Sequence, residues 1–507
     1  MASPDWTALA IFVGLFAFVT MLGFFASRWK RGDLTQIGEW GLGGRRFGSV
    51  IVWFLLGGDL YTAYTFIAVP ALIFGAGAAG FFAVPYTVLV WPIMFAVFPR
   101  FWSVTQAKGY VTAADFVRGR FGSGTLALAI AITGIVATMP YIALQLVGIE
   151  VVLEGLGIHG EWPLIIAFVV LAAYTYSSGL RAPAMIAVVK DVLIYVTVIA
   201  AIVIIPEQLG GYAKIFASVP APKLLLPPAT ANNFGAQSAY ATLALGSALA
   251  LLLYPHAITG LLSSSSRHVI RRNAVALPAY SIALGLIALL GTMAVAAGVA
   301  TKPEYAAGFK AFGANFAVPA LFLASFPKWF VGVAFAAIAI GALVPAAVMA
   351  IACANLFTRN IYKEYFRRDC SAAEECRVAK IVSLVVKFGA LAFAIGLKTQ
   401  YAINLQLLGG ILIIQTLPAV ILGLYTRWLN AYALLLGWLA GIGAGIAMWV
   451  SVGFKTTYVL TFFGTEVPCY AALASLVLNI VVSMALSPVF NVVMRPRPDA
   501  TIAADYA

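Results

Sequence analysis

Asp59 follows a glycine pair, Gly57-Gly58, in the middle of the apolar stretch 49–77, SVIVWFLLGGDLYTAYTFIAVPALIFGAG. A carboxylate at the depth this stretch would reach in a bilayer costs roughly 2.5–3.5 kcal/mol to insert. Glycines loosen the backbone where a spanning helix would hold its hydrogen bonds, and irregular backbone at that depth survives only beside a cavity or inside protein. A helix interrupted at the midplane offers carbonyls to a cation and amides to an anion, which is how many secondary transporters build a site. The competing reading is a glycine-lined packing seam with Asp59 near an interface. A second polar feature, Pro255-His256, lies in another apolar run. There the proline removes a helix hydrogen bond, and the imidazole is a group that can titrate near neutral pH.

The composition says what surrounds these residues. Of 507 residues, 63% are hydrophobic and only 10% charged, with a mean hydropathy of +0.99. Such a chain is a polytopic membrane protein rather than a soluble domain. Its net charge of +13 would suit nucleic acid, but the basic residues are scattered between apolar runs, so no nucleic-acid partner is expected. Thirteen spans are expected, at about 7–26, 49–74, 78–98, 125–148, 163–180, 184–205, 240–262, 274–299, 329–357, 378–397, 402–424, 431–451 and 469–488. The first lacks the basic flank of a cleavable signal and reads as a retained helix.

With the N-terminus outside and the C-terminus cytoplasmic, 22 of the 31 Lys and Arg fall in cytoplasmic segments, as the positive-inside rule requires. Lys214, Lys223, Lys302, Lys310, Lys328, Lys398 and Lys455 fall outside, and Lys190 and Lys387 within spans. The longest outer connections, 206–239 and 300–328, are Pro-rich and read as connecting loops or caps. Cys353, Cys370, Cys376 and Cys469 are too few and too dispersed for a disulfide framework. His159, His256 and His268 are too widely spaced for a catalytic cluster, so no enzyme activity and no cofactor are expected. A membrane-embedded sensor is a further class, and it would need a separate soluble partner.

Several stretches together resemble the sodium:solute symporter family, which includes bacterial proline, pantothenate and monocarboxylate permeases and the sodium–sugar carriers. They are residues 60–70, LYTAYTFIAVP; 112–122, TAADFVRGRFG; 178–191, SGLRAPAMIAVVKD; the pair Pro255-His256; and 357–365, FTRNIYKEY. Residues 254–274, YPHAITGLLSSSSRHVIRRNA, taken with 57–66, GGDLYTAYTF, look closest to the monocarboxylate permeases. The resemblance implies an all-α, LeuT-like core of two inverted five-helix repeats, 49–205 and 240–424, within one transporter domain. One extra helix, 7–26, would precede them and two, within 431–488, would follow. It also implies a bacterial inner-membrane symporter, a monomer or loose homo-oligomer in lipid. The solute would be a small monocarboxylate such as lactate, pyruvate, acetate or alanine, carried with H+ or Na+. Sodium-coupled proline or pantothenate uptake is the alternative.

By the same resemblance, a cation would be held by the backbone of Gly58 and Tyr61 together with span nine around Gly341, Val344 and Pro345. If the ion is sodium, Gly58, Tyr61 and Gly341 are its ligands. Here the sequence departs from the family, which places Ser or Thr hydroxyls in span nine, because 329–357 contains neither residue. The family also has Thr or Ser before Asp191, where this chain has Lys190. The balance favours a proton, with Asp59 its first carrier and His256 its second; His256 reads equally as a packed gate. Lys190 and Asp191 read as a pair or as snorkelling groups near a helix end, and Lys387 as a snorkelling lysine. Thr65, Tyr86, Gln145, Tyr254 and Gln406 are the candidate solute ligands. Each competes with a plainer role as interhelical glue. With no arginine inside any span, helix amides, hydroxyls and side-chain amides would have to bind the carboxylate.

Overall fold

The computed structural model describes residues 5–29, 32–59, 61–160, 162–396, 402–494 and 497–507, and it is helical almost throughout. Among the described residues, ten helices are long and apolar enough to cross a membrane, or eleven if a bent pair counts as one span. The expected count of thirteen differs from this because the expected spans 49–74 and 163–180 begin as or form the short helices Ser49–Gly58 and Trp162–Ser178. In addition, 378–397, within Ala372–Gly396, is not among those counted, whereas Pro303–Ser325, read as a connection, is. The bent pair is Gly235–Leu251 and Pro255–Leu262, which meet at 50°. Pro255 is the first residue of the second helix, where its missing N–H costs nothing, and Tyr254 before it is extended.

At the centre stands the Lys328–Phe357 helix, in which every residue from Ala334 to Leu356 is buried. Its alanines and Gly341 let neighbours approach closely on all sides. Packed around it are Trp6–Phe25, Gly124–Gly155, Arg181–Gln208 and Ala372–Gly396. The stretch 300–328 is more than a connection: it folds into Ala306–Phe312 and Ala317–Ser325, and Phe316, Leu321 and Phe322 are buried. Its apolar face had somewhere to pack, and Phe309 stacks on Phe74 with ring centroids 5.8 Å apart. A β-hairpin, Thr457–Phe462 with Thr465–Tyr470, precedes the last long helix, Ala471–Val493.

Two of the family-like stretches lock onto one another. Thr112 and Asp115 form a capping box at the start of Ala113–Phe121, and Gly122 closes that helix at φ 58°. Asn360 donates to Asp115 at 2.7 Å and accepts from the Thr112 hydroxyl at 2.8 Å. Arg359 joins Asp115 at 3.4 Å and Glu375 at 3.1 Å. Lys387 does not snorkel. It is 1% exposed, and its ammonium has no hydrogen-bond partner among the described residues.

Candidate functional site

The Ser49–Gly58 helix stops at its glycine pair, and helix resumes only as a π turn at Tyr64–Ala68 followed by Val69–Ala76. The expected break lay between about residues 55 and 60; the irregular backbone begins at Asp59 and reaches Thr62, with Leu60 outside the described residues. Both glycines therefore remain helical, and their use is close approach. A Cβ on Gly57 would sit 2.2 Å from the Tyr280 ring, and one on Gly58 2.7 Å from Lys190 Nζ. The break faces the central helix as expected, since a Cβ on Gly341 would lie 3.6 Å from the Tyr61 carbonyl oxygen. Pro345, four residues on in that helix, leaves the Gly341 carbonyl without its helical donor. Val344 and Pro345 are both buried beside it.

The two carbonyls that the break releases are engaged by a side chain. Lys190 Nζ donates to the Gly58 oxygen at 2.7 Å and to the Tyr61 oxygen at 3.1 Å, and lies 2.9 Å from Asp191 Oδ1. The other Asp191 oxygen accepts from the Tyr280 hydroxyl at 2.6 Å. Lys190 and Asp191 are both fully buried, well inside the Arg181–Gln208 helix rather than at its end. They pair, and they do not snorkel. Sequence reasoning missed this link between Lys190 and the break. The available signal was a lysine where the family carries a hydroxyl.

On the other side of the break, His256 Nε2 lies 3.2 Å from Asp59 Oδ2. Two features far apart in the chain thus meet, one at a helix break and one at the start of a bent helix. His256 is fully buried and does not face lipid. Its ring packs on Tyr141 and Tyr254, with centroids 5.3 Å away in each case. Tyr141 also packs on Tyr254 with ring centroids 5.3 Å apart, and Tyr86 on Tyr64 at 6.3 Å. A cavity of about 20 Å³ is lined in part by Gly134, Leu253, Pro255, Thr259 and Thr416.

Within this region several buried polar atoms lack partners among the described residues: Asp59 Oδ1, the Tyr64 hydroxyl, both His256 nitrogens, and both ends of the Gln406 amide. Leaving such atoms unsatisfied costs about 1–3 kcal/mol each, so their concentration marks a place built for something that supplies the missing bonds. The expected solute ligands divide accordingly. Tyr86 packs edge-on against Tyr64, and the Gln406 amide has no hydrogen-bond partner among the described residues. Tyr254 spends its hydroxyl on the Gln406 carbonyl at 3.0 Å, which joins the two helices. Gln145 accepts from the Ala63 N–H at 3.2 Å and so holds the backbone just past the break. Thr65 is buried within the π turn. Tyr64 was not among the expected ligands; it lay one residue from the chosen Thr65.

An almost wholly helical membrane fold with a helix broken beside a buried carboxylate and a buried lysine is the architecture of a secondary transporter. The sodium:solute symporter family model matches residues 40–441, and the chain belongs to that family. It is 55% identical to a monocarboxylate transport permease protein of Rhizobium johnstonii, over 95% of this chain and 96% of that one. It is 34% identical to the uncharacterized symporter YodF of Bacillus subtilis, over 88% of each chain. Among solved structures it resembles a Na+-coupled sialic acid symporter in a substrate-bound outward-open state. The TM-score is 0.76 at 16% identity, covering 96% of this chain and 98% of that one, a likeness of fold. The fold is the LeuT-like one. The chain is a multi-pass membrane protein of a family of solute transporters, with bacterial relatives.

Proposed function

We propose that this protein imports a small monocarboxylate, of the size of lactate, pyruvate or acetate, across the bacterial cytoplasmic membrane together with a proton. The observation that carries the reading is the Asp59–His256 pair at the helix break, among buried hydroxyl and amide groups that lack partners. Such a pair can hold one proton between two groups from different helices. A monocarboxylate arriving as an anion would then enter with its charge compensated, which lowers the cost of occluding it away from water. The Tyr64 hydroxyl and the Gln406 amide supply neutral donors to its carboxylate. The permease name of the 55% identical relative supports this solute class. His256 also serves as the gate, because rotating the Pro255–Leu262 helix about its bend would part it from Asp59.

In this reading residues 49–205 and 240–424 are the two repeats, the N-terminus faces outward, and the Lys/Arg-rich connections face the cytoplasm. Uptake of labelled lactate, pyruvate, acetate, alanine, proline and pantothenate into proteoliposomes tests the solute class. Saturable accumulation of the monocarboxylates is expected. Accumulation of proline or pantothenate instead would overturn the assignment.

A further inference from the structure

We infer that Lys190 is the resident cation of the broken-helix site, its ammonium standing where a sodium-coupled relative would place its ion. The inference rests on the symporter reading above and deepens it at the same site. The carbonyls that the family resemblance offers to sodium are those of Gly58 and Tyr61. In this chain both accept from Lys190 Nζ, at 2.7 and 3.1 Å. Asp191 Oδ1, 2.9 Å away, supplies the counter-charge. An ammonium has three N–H donors and no acceptor, and two of them are spent on the carbonyls of the break.

The fit is steric as well as electrostatic. Gly58 leaves room for the ammonium, since a Cβ there would lie 2.7 Å from Nζ. Facing the break, the central helix offers Gly341, Val344 and Pro345, and no Ser or Thr occurs anywhere in 329–357. A sodium ion at this position would have lost two carbonyls to the lysine and would find no hydroxyl to replace them. It would also sit beside a fixed positive charge. The ammonium opposes a second cation there, and the Asp191 carboxylate that could offset it is already paired with the lysine. The residues present do not fit sodium here.

The substitution also gives Asp191 a partner. A buried lysine needs a counter-charge, and the carboxylate next to it in sequence supplies one while accepting from Tyr280. Lysine and aspartate together keep the site neutral without any bound ion. The tether matters as well: a cation fixed to the Arg181–Gln208 helix cannot leave with the solute, so it holds the break to that helix permanently.

The test is sodium-specific stabilisation of the purified full-length protein, read as the thermal unfolding midpoint in sodium chloride against choline chloride, with binding of radioactive sodium alongside. The wild type is expected to show the same midpoint in both salts and no saturable sodium binding. Lys190→Thr, which returns a hydroxyl, frees two carbonyls and leaves the Asp191 carboxylate unpaired, is expected to gain a saturable sodium-specific rise. Lys190→Met, whose methylenes still fill the space, is expected to gain none. A sodium-specific rise in the wild type overturns the inference even if neither variant folds. So does a Lys190→Thr protein that is still stabilised by lactate or pyruvate yet indifferent to sodium. Failure of every monocarboxylate to stabilise the wild type would count against the solute reading alone, because the sodium arms need no solute.

Discussion

Removing either member of the Lys190–Asp191 pair should destabilise the protein far more than removing both. The two side chains are fully buried and 2.9 Å apart. Breaking a buried pair by deleting one partner costs about 3–5 kcal/mol, whereas replacing both with neutral groups is often close to neutral. Asp191→Asn keeps a single acceptor oxygen, so either the Tyr280 hydroxyl or the ammonium faces an NH2 in place of the other, and Lys190 loses its counter-charge; about 3 kcal/mol or more is expected. Lys190→Met strands the Asp191 charge with one hydroxyl and also leaves the Gly58 and Tyr61 carbonyls unpaired. About 4–5 kcal/mol is expected for that variant. The double variant retains only the two orphaned carbonyls, about 2 kcal/mol at the low end of the 1–3 expected for each. The cycle should therefore show at least about 3 kcal/mol of non-additivity, with the double variant more stable than Lys190→Met alone. Denaturant titration of the four purified proteins in one detergent measures it. Additivity to within about 0.5 kcal/mol would mean that the two charges are not coupled, and the geometry drawn here would be wrong.

Other substitutions separate site from scaffold. Gln406→Leu should raise stability by about 1–3 kcal/mol, because both ends of the amide lack partners, while raising the KM for uptake; lower stability with unchanged KM would assign Gln406 to packing. Gly57→Ala, whose methyl would meet the Tyr280 ring at 2.2 Å, should cost about 1–3 kcal/mol and most of the uptake. Gly389→Ala, with nothing within 4 Å, should do neither, and equal effects of the two would refute the close-approach role. Asp115→Ala removes a capping box and the partner of Asn360 and Arg359, so a loss of about 2–3 kcal/mol is expected in the unfolding midpoint energetics. A neutral result would show that the two family-like stretches do not brace each other.

Much of this was legible in the sequence, and the remainder fails for identifiable reasons. Composition alone implied a membrane bundle, and Gly57-Gly58-Asp59 located the break to within a few residues. The bend before Pro255 followed from the missing donor. What did not follow was the direction in which features face. Nothing in a linear pattern says that Asp59 meets His256, because the contact spans two helices from opposite halves of the chain. The glycines were read as a source of unwinding, yet they remain helical and serve the approach of Tyr280 and Lys190. Lys190 reads as pairing or snorkelling and Lys387 as snorkelling, because that is what exposed lysine stems do at a membrane surface. Both are buried, and among the described residues only Lys190 has hydrogen-bond partners that explain why. The 300–328 stretch hid its helices behind prolines that sit at their starts or between them.

The central claim is that a proton carried at Asp59 and His256, rather than a sodium ion, drives uptake. Proteoliposomes loaded at one pH and diluted into buffers of another, with sodium or choline as the only monovalent cation, test it most directly. Accumulation of a labelled monocarboxylate should follow the acid-outside gradient equally in sodium and in choline. Asp59→Asn should abolish that accumulation while solute exchange between the two faces persists. Accumulation that requires sodium and is indifferent to the imposed pH gradient would contradict the account.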